Sequence, residues 1–129
     1  MALSANTERT FKVETYENTL PVAASATIYK GSAVGDTGGY ARALTAGDIF
    51  HGFALAKVDN SSGSAGDINV TVRKKGTIRA SISSLAVTDI GKAVYLSDDD
   101  TFTLTQGSNT FVGHVARWVS TGIGEVAFN

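Results

Sequence analysis

The sequence predicts an all-β protein: a compact single-domain β-sandwich or barrel, jelly-roll- or tulip-like, of about ten short strands behind an extended N-terminal arm. Three observations predict it. Short alternating apolar segments recur along the chain, separated by Gly, Asn, Asp and Ser clusters at the spacing of strands and turns. No window long enough for an ordinary helix carries the helical period. Finally, two stretches spell nearly the same strand: Phe50-His51-Gly52-Phe53-Ala54-Leu55-Ala56-Lys57-Val58 returns as Phe111-Val112-Gly113-His114-Val115-Ala116-Arg117-Trp118-Val119. Each opens Phe-x-Gly and is largely apolar on both strand faces, which places it at the centre of a layered β body. Gly52 and Gly113 then permit a bend or a close backbone approach. The repetition reads either as an internal duplication or as free reuse of Phe-x-Gly.

The elements follow in order. Residues 1–20 form the arm and 21–129 the body. Residues 2–10 are small and polar without periodicity, either a frayed end or a docking arm. Phe11 to Tyr16 alternates and reads as a possible edge strand, and Pro21, the single proline, stands where arm joins body. Val22 to Val34 reads as strand, Asp36-Thr37-Gly38-Gly39 as a tight turn, and Tyr40 to Leu44 as the returning strand. The first Phe-x-Gly strand follows, then a surface loop over Asp59 to Gly66. Ile68, Val70 and Val72 alternate with Asn69, Thr71 and Arg73, a half-buried strand. Arg73-Lys74-Lys75-Gly76 reads as a hairpin tip, with Thr77 to Ile82 returning. Thr88 is a candidate cap for one helical turn stopping at Gly91. Ala93 to Leu96 and Thr101 to Thr105 make a hairpin about Ser97 to Asp100. The second Phe-x-Gly strand and Glu125 to Phe128 close the chain.

Composition narrows function. Hydrophobic residues are 43% and charged residues 18% of the chain, the balance of a folded domain. A formal net charge of -1 and a pI near 6.0 give no bulk drive toward nucleic acid. There is no Cys, so disulfides, thiolate metal sites and Cys nucleophiles are excluded. The start lacks a basic segment followed by an apolar block, and no run approaches the roughly 18 apolar residues of a membrane span. A soluble protein made in a cytoplasm is expected.

Catalytic, metal and cofactor motifs are not found. The Ser residues sit in turns and no Gly-x-Ser-x-Gly elbow is present. His51 and His114 lie at different places in the two related strands and read as ordinary strand residues rather than zinc ligands. Asp98-Asp99-Asp100 is contiguous, unlike the alternating ligands of a calcium loop, and reads as a hairpin turn. Gly91-Lys92 lacks the earlier glycine of a phosphate loop. The densest charge cluster, Arg73-Lys74-Lys75, must face water or a partner. It serves either as a solvated tip that blocks edge aggregation or as a dock for an acidic protein surface.

The order of segments resembles the capsid decoration, or cement, proteins of tailed bacteriophages. The resembling residues are Met1-Ala2-Leu3-Ser4-Ala5, Leu20-Pro21-Val22-Ala23-Ala24, Ile28-Tyr29-Lys30-Gly31, Gly39-Tyr40-Ala41, Gly52-Phe53-Ala54 and Val58-Asp59-Asn60-Ser61. Gly66-Asp67-Ile68-Asn69-Val70-Thr71-Val72 and Gly113-His114-Val115-Ala116 continue the match, and Thr88-Asp89-Ile90-Gly91-Lys92-Ala93-Val94-Tyr95-Leu96-Ser97-Asp98-Asp99 is the most distinctive block. The resemblance implies a non-enzymatic protein on the outside of a virion, made in the host bacterial cytoplasm. It would bind the major capsid protein and clamp neighbouring subunits of the expanded shell. It also implies self-association, as a homotrimer on local three-folds or a dimer on two-folds, with no cofactor, nucleic acid or membrane partner. Under that reading the expected capsid-binding residues are Ala2, Leu3, Thr7, Arg9, Phe11 and Lys12 in the arm and Arg73, Lys74 and Lys75 in the body. The competing class is a β-sandwich recognition module for host-surface glycan or another virion protein. Tyr16, Tyr40 or Trp118 would stack on sugar rings there, although Trp118 stands in a strand apolar on both faces and reads as core.

Overall fold

A computed structural model of the protein describes residues 4–6, 8 and 16–129. The fold is all-β, a sandwich of two antiparallel sheets. In chain order the strands are β1 (Glu17–Pro21), β2 (Thr27–Ile28), β3 (Ala33–Thr37), β4 (Tyr40–Ala43), β5 (Gly52–Ala54) and β6 (Val58–Asp59), then β7 (Asn69–Arg73), β8 (Gly76–Ser81), β9 (Ala93–Leu96), β10 (Phe102–Thr103), β11 (Thr110–Ser120) and β12 (Ile123–Phe128). One sheet has the order β1-β7-β5-β3-β4, the other β10-β9-β11-β12-β8, and β2 pairs with β6 in a short ribbon. The two Phe-x-Gly strands, β5 and β11, are the central strands of their sheets.

The two sheets are the same design. In each, the first strand in the chain lies beside the fifth, the fourth is central, and the second and third form the hairpin at the other side. The register agrees as well: Val34 is opposite Gly52, and Val94 is opposite Gly113. The amide of Gly31 donates to the carbonyl of Ala54 and that of Gly91 to Val115, both at 2.8 Å. The returning bonds, Ala54 to Ser32 and Val115 to Lys92, are both 2.9 Å. Each sheet also curls until its edges meet, through parallel bridges Val22–Ala41 and Ile82–Phe102. Closing the edges in this way removes templates for intermolecular pairing. The repeated strand thus marks a duplicated five-stranded unit.

The core follows from this arrangement. Val22, Ile28, Val34, Ala54, Val70 and Val72 fill the inside of the first unit. The opposite face of that sheet, with Ala33, Leu44 and Phe53, packs into the second unit against Leu96, Phe102 and Phe128. The Phe53 and Phe128 rings meet edge to face at 4.9 Å and 82°. β5 is therefore buried on both faces, as its composition suggests. β11 is not. It buries Val112, Gly113 and Val115 but leaves Phe111 and His114 exposed, with a register shift between Phe111 and Gly113. Among the described residues the second copy therefore has only one covered face.

Three local expectations need correction. Val22 to Val34 is not one strand: Ser25 takes a left-handed φ of 60° and separates the Val22 bridge from β2 and β3. Thr88 does not cap the 3₁₀ turn Val87–Asp89; the Asp89 carboxylate instead accepts the Ala86 amide at 2.9 Å. Arg73-Lys74-Lys75-Gly76 is not a hairpin tip but a crossover between sheets. β7 pairs with β1 and β5, whereas β8 pairs with β12. The apolar faces of β7 and β8 enter different cores, Val70 and Val72 one and Ala80 the other, so burial overrides the local turn signal.

Candidate functional site

The basic crossover is held open by its neighbours. β7 ends at Arg73, whose carbonyl lies where a β-carbon on Gly52 would stand. The Lys74 amide donates to the Tyr16 carbonyl at 2.7 Å, extending the β1–β7 ladder one step beyond Glu17–Arg73. The Lys75 ammonium lies 5.7 Å from the centroid of the Tyr16 ring, a cation–π distance. Tyr16 itself is 54% exposed. Arg73 and Lys74 are exposed, and among the described residues neither meets a carboxylate within ion-pair distance. The structure thus joins the basic triplet to Tyr16, within the stretch expected to form the arm. The expected arm contacts Ala2, Leu3, Thr7, Arg9, Phe11 and Lys12, and the edge strand expected over 11–15, lie outside the described residues. β1 begins at Glu17, within the stretch assigned to the arm, and ends on Pro21, a position an edge strand tolerates.

The other polar clusters are occupied with holding turns. Asp48 receives Arg42 through Nε at 3.0 Å and Nη2 at 2.7 Å, and the Thr45 amide at 3.0 Å. The guanidinium hydrogen bond, helped by that amide, holds the Asp48 carboxyl below the usual carboxylate range, and the same pairing raises Arg42. Asp89 is lowered chiefly by the Lys92 ammonium at 2.7 Å, then by the Ala86 amide. Asp98 accepts the amides of Asp100 and Thr101 and the Thr101 hydroxyl, and its pKa is lowered first by the Asp100 amide. Asp99 accepts the Ser32 hydroxyl at 2.7 Å, tying the hairpin turn of the second unit to the first. His51 contacts Asp36 at 2.9 Å, and His114 stands on the outer face beside Phe111. Among the described residues no group of three or more His, Asp or Glu side chains converges on one point.

The aromatics of the glycan reading are differently placed. Trp118 packs partly buried against the core, with its indole N–H 3.4 Å from the Leu85 carbonyl. Tyr16 carries Lys75, and Tyr40 is exposed beside the Gly38-Gly39 turn.

Sequence reasoning missed a further surface. Ile49, Phe50, Phe111 and Val112 line a groove of about 430 Å³ at the seam between the units. Tyr95 continues it, its ring 5.9 Å from Phe111. The signal in the sequence was Phe111, but alternation alone does not tell which face of β11 finds a cover. Among the described residues no helix is long and apolar enough to cross a membrane. No protein-family model matches the chain, and no curated protein matches it in sequence.

Proposed function

We propose that this protein is a capsid decoration protein: it binds the outer surface of a bacteriophage head and clamps neighbouring major capsid subunits, with no catalytic role. The observation that carries the reading is the contact of the basic crossover with Tyr16, within the stretch expected to form the arm. The Lys74 amide donates to the Tyr16 carbonyl, and the Lys75 ammonium lies over the Tyr16 ring. A basic patch beside the stretch expected to form a polar arm suits an acidic protein surface. The resemblance in segment order supplies the kind of surface, and the closed, duplicated β body supplies a rigid base for the arm.

The physics suits a shell. Many equivalent sites and several protomers engaged together add modest contacts into high avidity. An arm that orders on binding gives up some of that energy but wraps a neighbouring subunit. The test is deletion of Ala2 to Thr10. The truncated protein is expected to fold and melt as the full chain does, yet to leave purified expanded heads undecorated in sedimentation and electron-microscopy assays. Undiminished occupancy would remove the arm from the mechanism.

A further inference from the structure

β8 is an edge strand with one side unpaired. It pairs with β12 from Gly76–Phe128 to Ser81–Ile123, and among the described residues no strand lies along its other side. The Ile82 amide donates to the Gly122 carbonyl at 2.9 Å, so by antiparallel alternation Ala80, Ile78 and Gly76 also turn their backbone groups toward β12. The Ala127 carbonyl, which points at Gly113 in β11, fits the same alternation. The amides and carbonyls of Thr77 and Arg79 therefore face outward. The bridge that closes the second unit, Ile82–Phe102, lies just past the end of β8 and does not reach them.

The duplicated unit shows the same edge in a blocked form. Val22 and Ile82 make the equivalent bridges, so Pro21 in β1 corresponds to Ser81 in β8 and Thr19 to Arg79. Val22 donates its amide to Ile68, just before β7, so Pro21 faces the free edge of β1 and has no N–H to offer there. β8 contains no proline. Its free edge instead borders a groove of about 260 Å³ at the seam between the units. Phe53, Ile78 and Phe102 give that groove its apolar lining, and Gly31 and Asp100 stand across it from β8.

We infer that β8 accepts an extended segment of another protein as an added strand, and that this segment alternates apolar with acidic residues. Strand addition satisfies the outward backbone groups with main-chain hydrogen bonds. Alternate side chains of the added strand then enter the groove beside Ile78 or lie out beside the exposed side chains of Thr77 and Arg79. Charge sets the sign of the outer set. Arg79 and Arg117 share the one carboxylate of Glu125, at 3.6 Å and 3.4 Å, and Arg73 and Lys74 stand exposed just before β8. Carboxylates placed across from this excess are stabilised, and cations are repelled. Asp100 lies two residues before the bridged Phe102, so the acidic residues belong toward the Gly76 end. This sequence supplies no such segment itself. Phe11-Lys12-Val13-Glu14-Thr15-Tyr16 alternates, but with one cation and one anion. The inference concerns the edge of β8 alone and does not rest on the decoration role.

The experiment titrates the full chain against two fluorescein-labelled peptides, Glu-Val-Glu-Val-Glu-Val and its lysine counterpart, by fluorescence anisotropy up to millimolar concentration. Amide hydrogen exchange followed by NMR locates the binding. The glutamate peptide is expected to bind at least about tenfold more tightly than the lysine peptide at low salt. It should also slow exchange at the Thr77 and Arg79 amides by about tenfold or more. Arg79→Glu is expected to reverse the preference between the peptides. Should that variant melt early, a glutamate peptide with an N-methylated backbone replaces it and is expected not to bind the native chain. Four results would each overturn the inference: no binding of the glutamate peptide, equal binding of both peptides, binding without protection at Thr77 and Arg79, or amides there already protected in the peptide-free chain by its own residues or a second copy. No heads are present, so this site and decoration can fail independently.

Discussion

A β-carbon on Gly113 would fall on the carbonyl oxygen of Ala127 in the neighbouring strand. Gly52 stands in the same relation to Arg73 in the other sheet. Two central strands therefore approach their neighbours more closely than any side chain permits, at equivalent points of the duplicated unit. The contact is with backbone, which has no rotamer to yield.

Gly113→Ala is thus expected to destabilise the fold by about 1–3 kcal/mol, the usual cost of forcing extra volume into a packed interior. Gly52→Ala should cost at least as much, because its φ of 136° also disfavours a side chain. Thermal melting by circular dichroism reads both. A Gly113→Ala variant as stable as the native chain would mean that the strands separate there without penalty.

The Arg42–Asp48 pair makes a pH prediction. The folded Asp48 carboxyl is held below its ordinary range, so its stabilisation is complete above the unfolded value of about 4. It fades as pH falls through that value toward the folded one. Asp48→Asn is expected to cost about 1 kcal/mol at neutral pH, discounted because the Arg42 side chain is 38% exposed. The gap between native and variant melting temperatures should narrow as pH falls below about 4. A gap that stays constant with pH would assign the loss to packing instead.

The basic crossover makes a salt prediction. Changing Arg73, Lys74 and Lys75 together to Ser should weaken binding to expanded heads at low ionic strength and matter less at high salt, where exposed charges are screened. Fold stability should change little, because the backbone of Arg73 and Lys74, rather than their charges, makes the ladder contacts. Unchanged binding at low salt would return the triplet to a purely solvating role.

How much of this was legible in the sequence depends on the range of the interaction. The Gly38-Gly39 turn, the β9–β10 hairpin and the alternation of Val70 and Val72 are local features, and each appears where its residues place it. The central position of both Phe-x-Gly strands follows from their apolar content. What was not legible is partner choice. Arg73-Lys74-Lys75-Gly76 has the composition of a tight turn, yet β7 and β8 belong to different sheets, because each finds a better-matched apolar face elsewhere. Phe53 and His114 occupy equivalent positions in one motif, and only the packing of one unit on the other buries the first and exposes the second. For the candidate site, the basic triplet was readable from charge alone. Its contact with Tyr16 was not, because that contact depends on β1 pairing with a strand some fifty residues away.

The β1–β7 ladder also has a mechanical consequence. The chain preceding Tyr16 is covalently continuous with β1, whose five residues pair antiparallel with β7 from Glu17–Arg73 to Pro21–Asn69. A pull on that chain along the strand loads these hydrogen bonds in shear, all together, rather than peeling them one at a time. The parallel bridge from Val22 to Ala41 fixes the far end of the strand to the opposite edge of the sheet. Tension entering at Tyr16 is therefore spread around the whole first unit before any one strand can leave it.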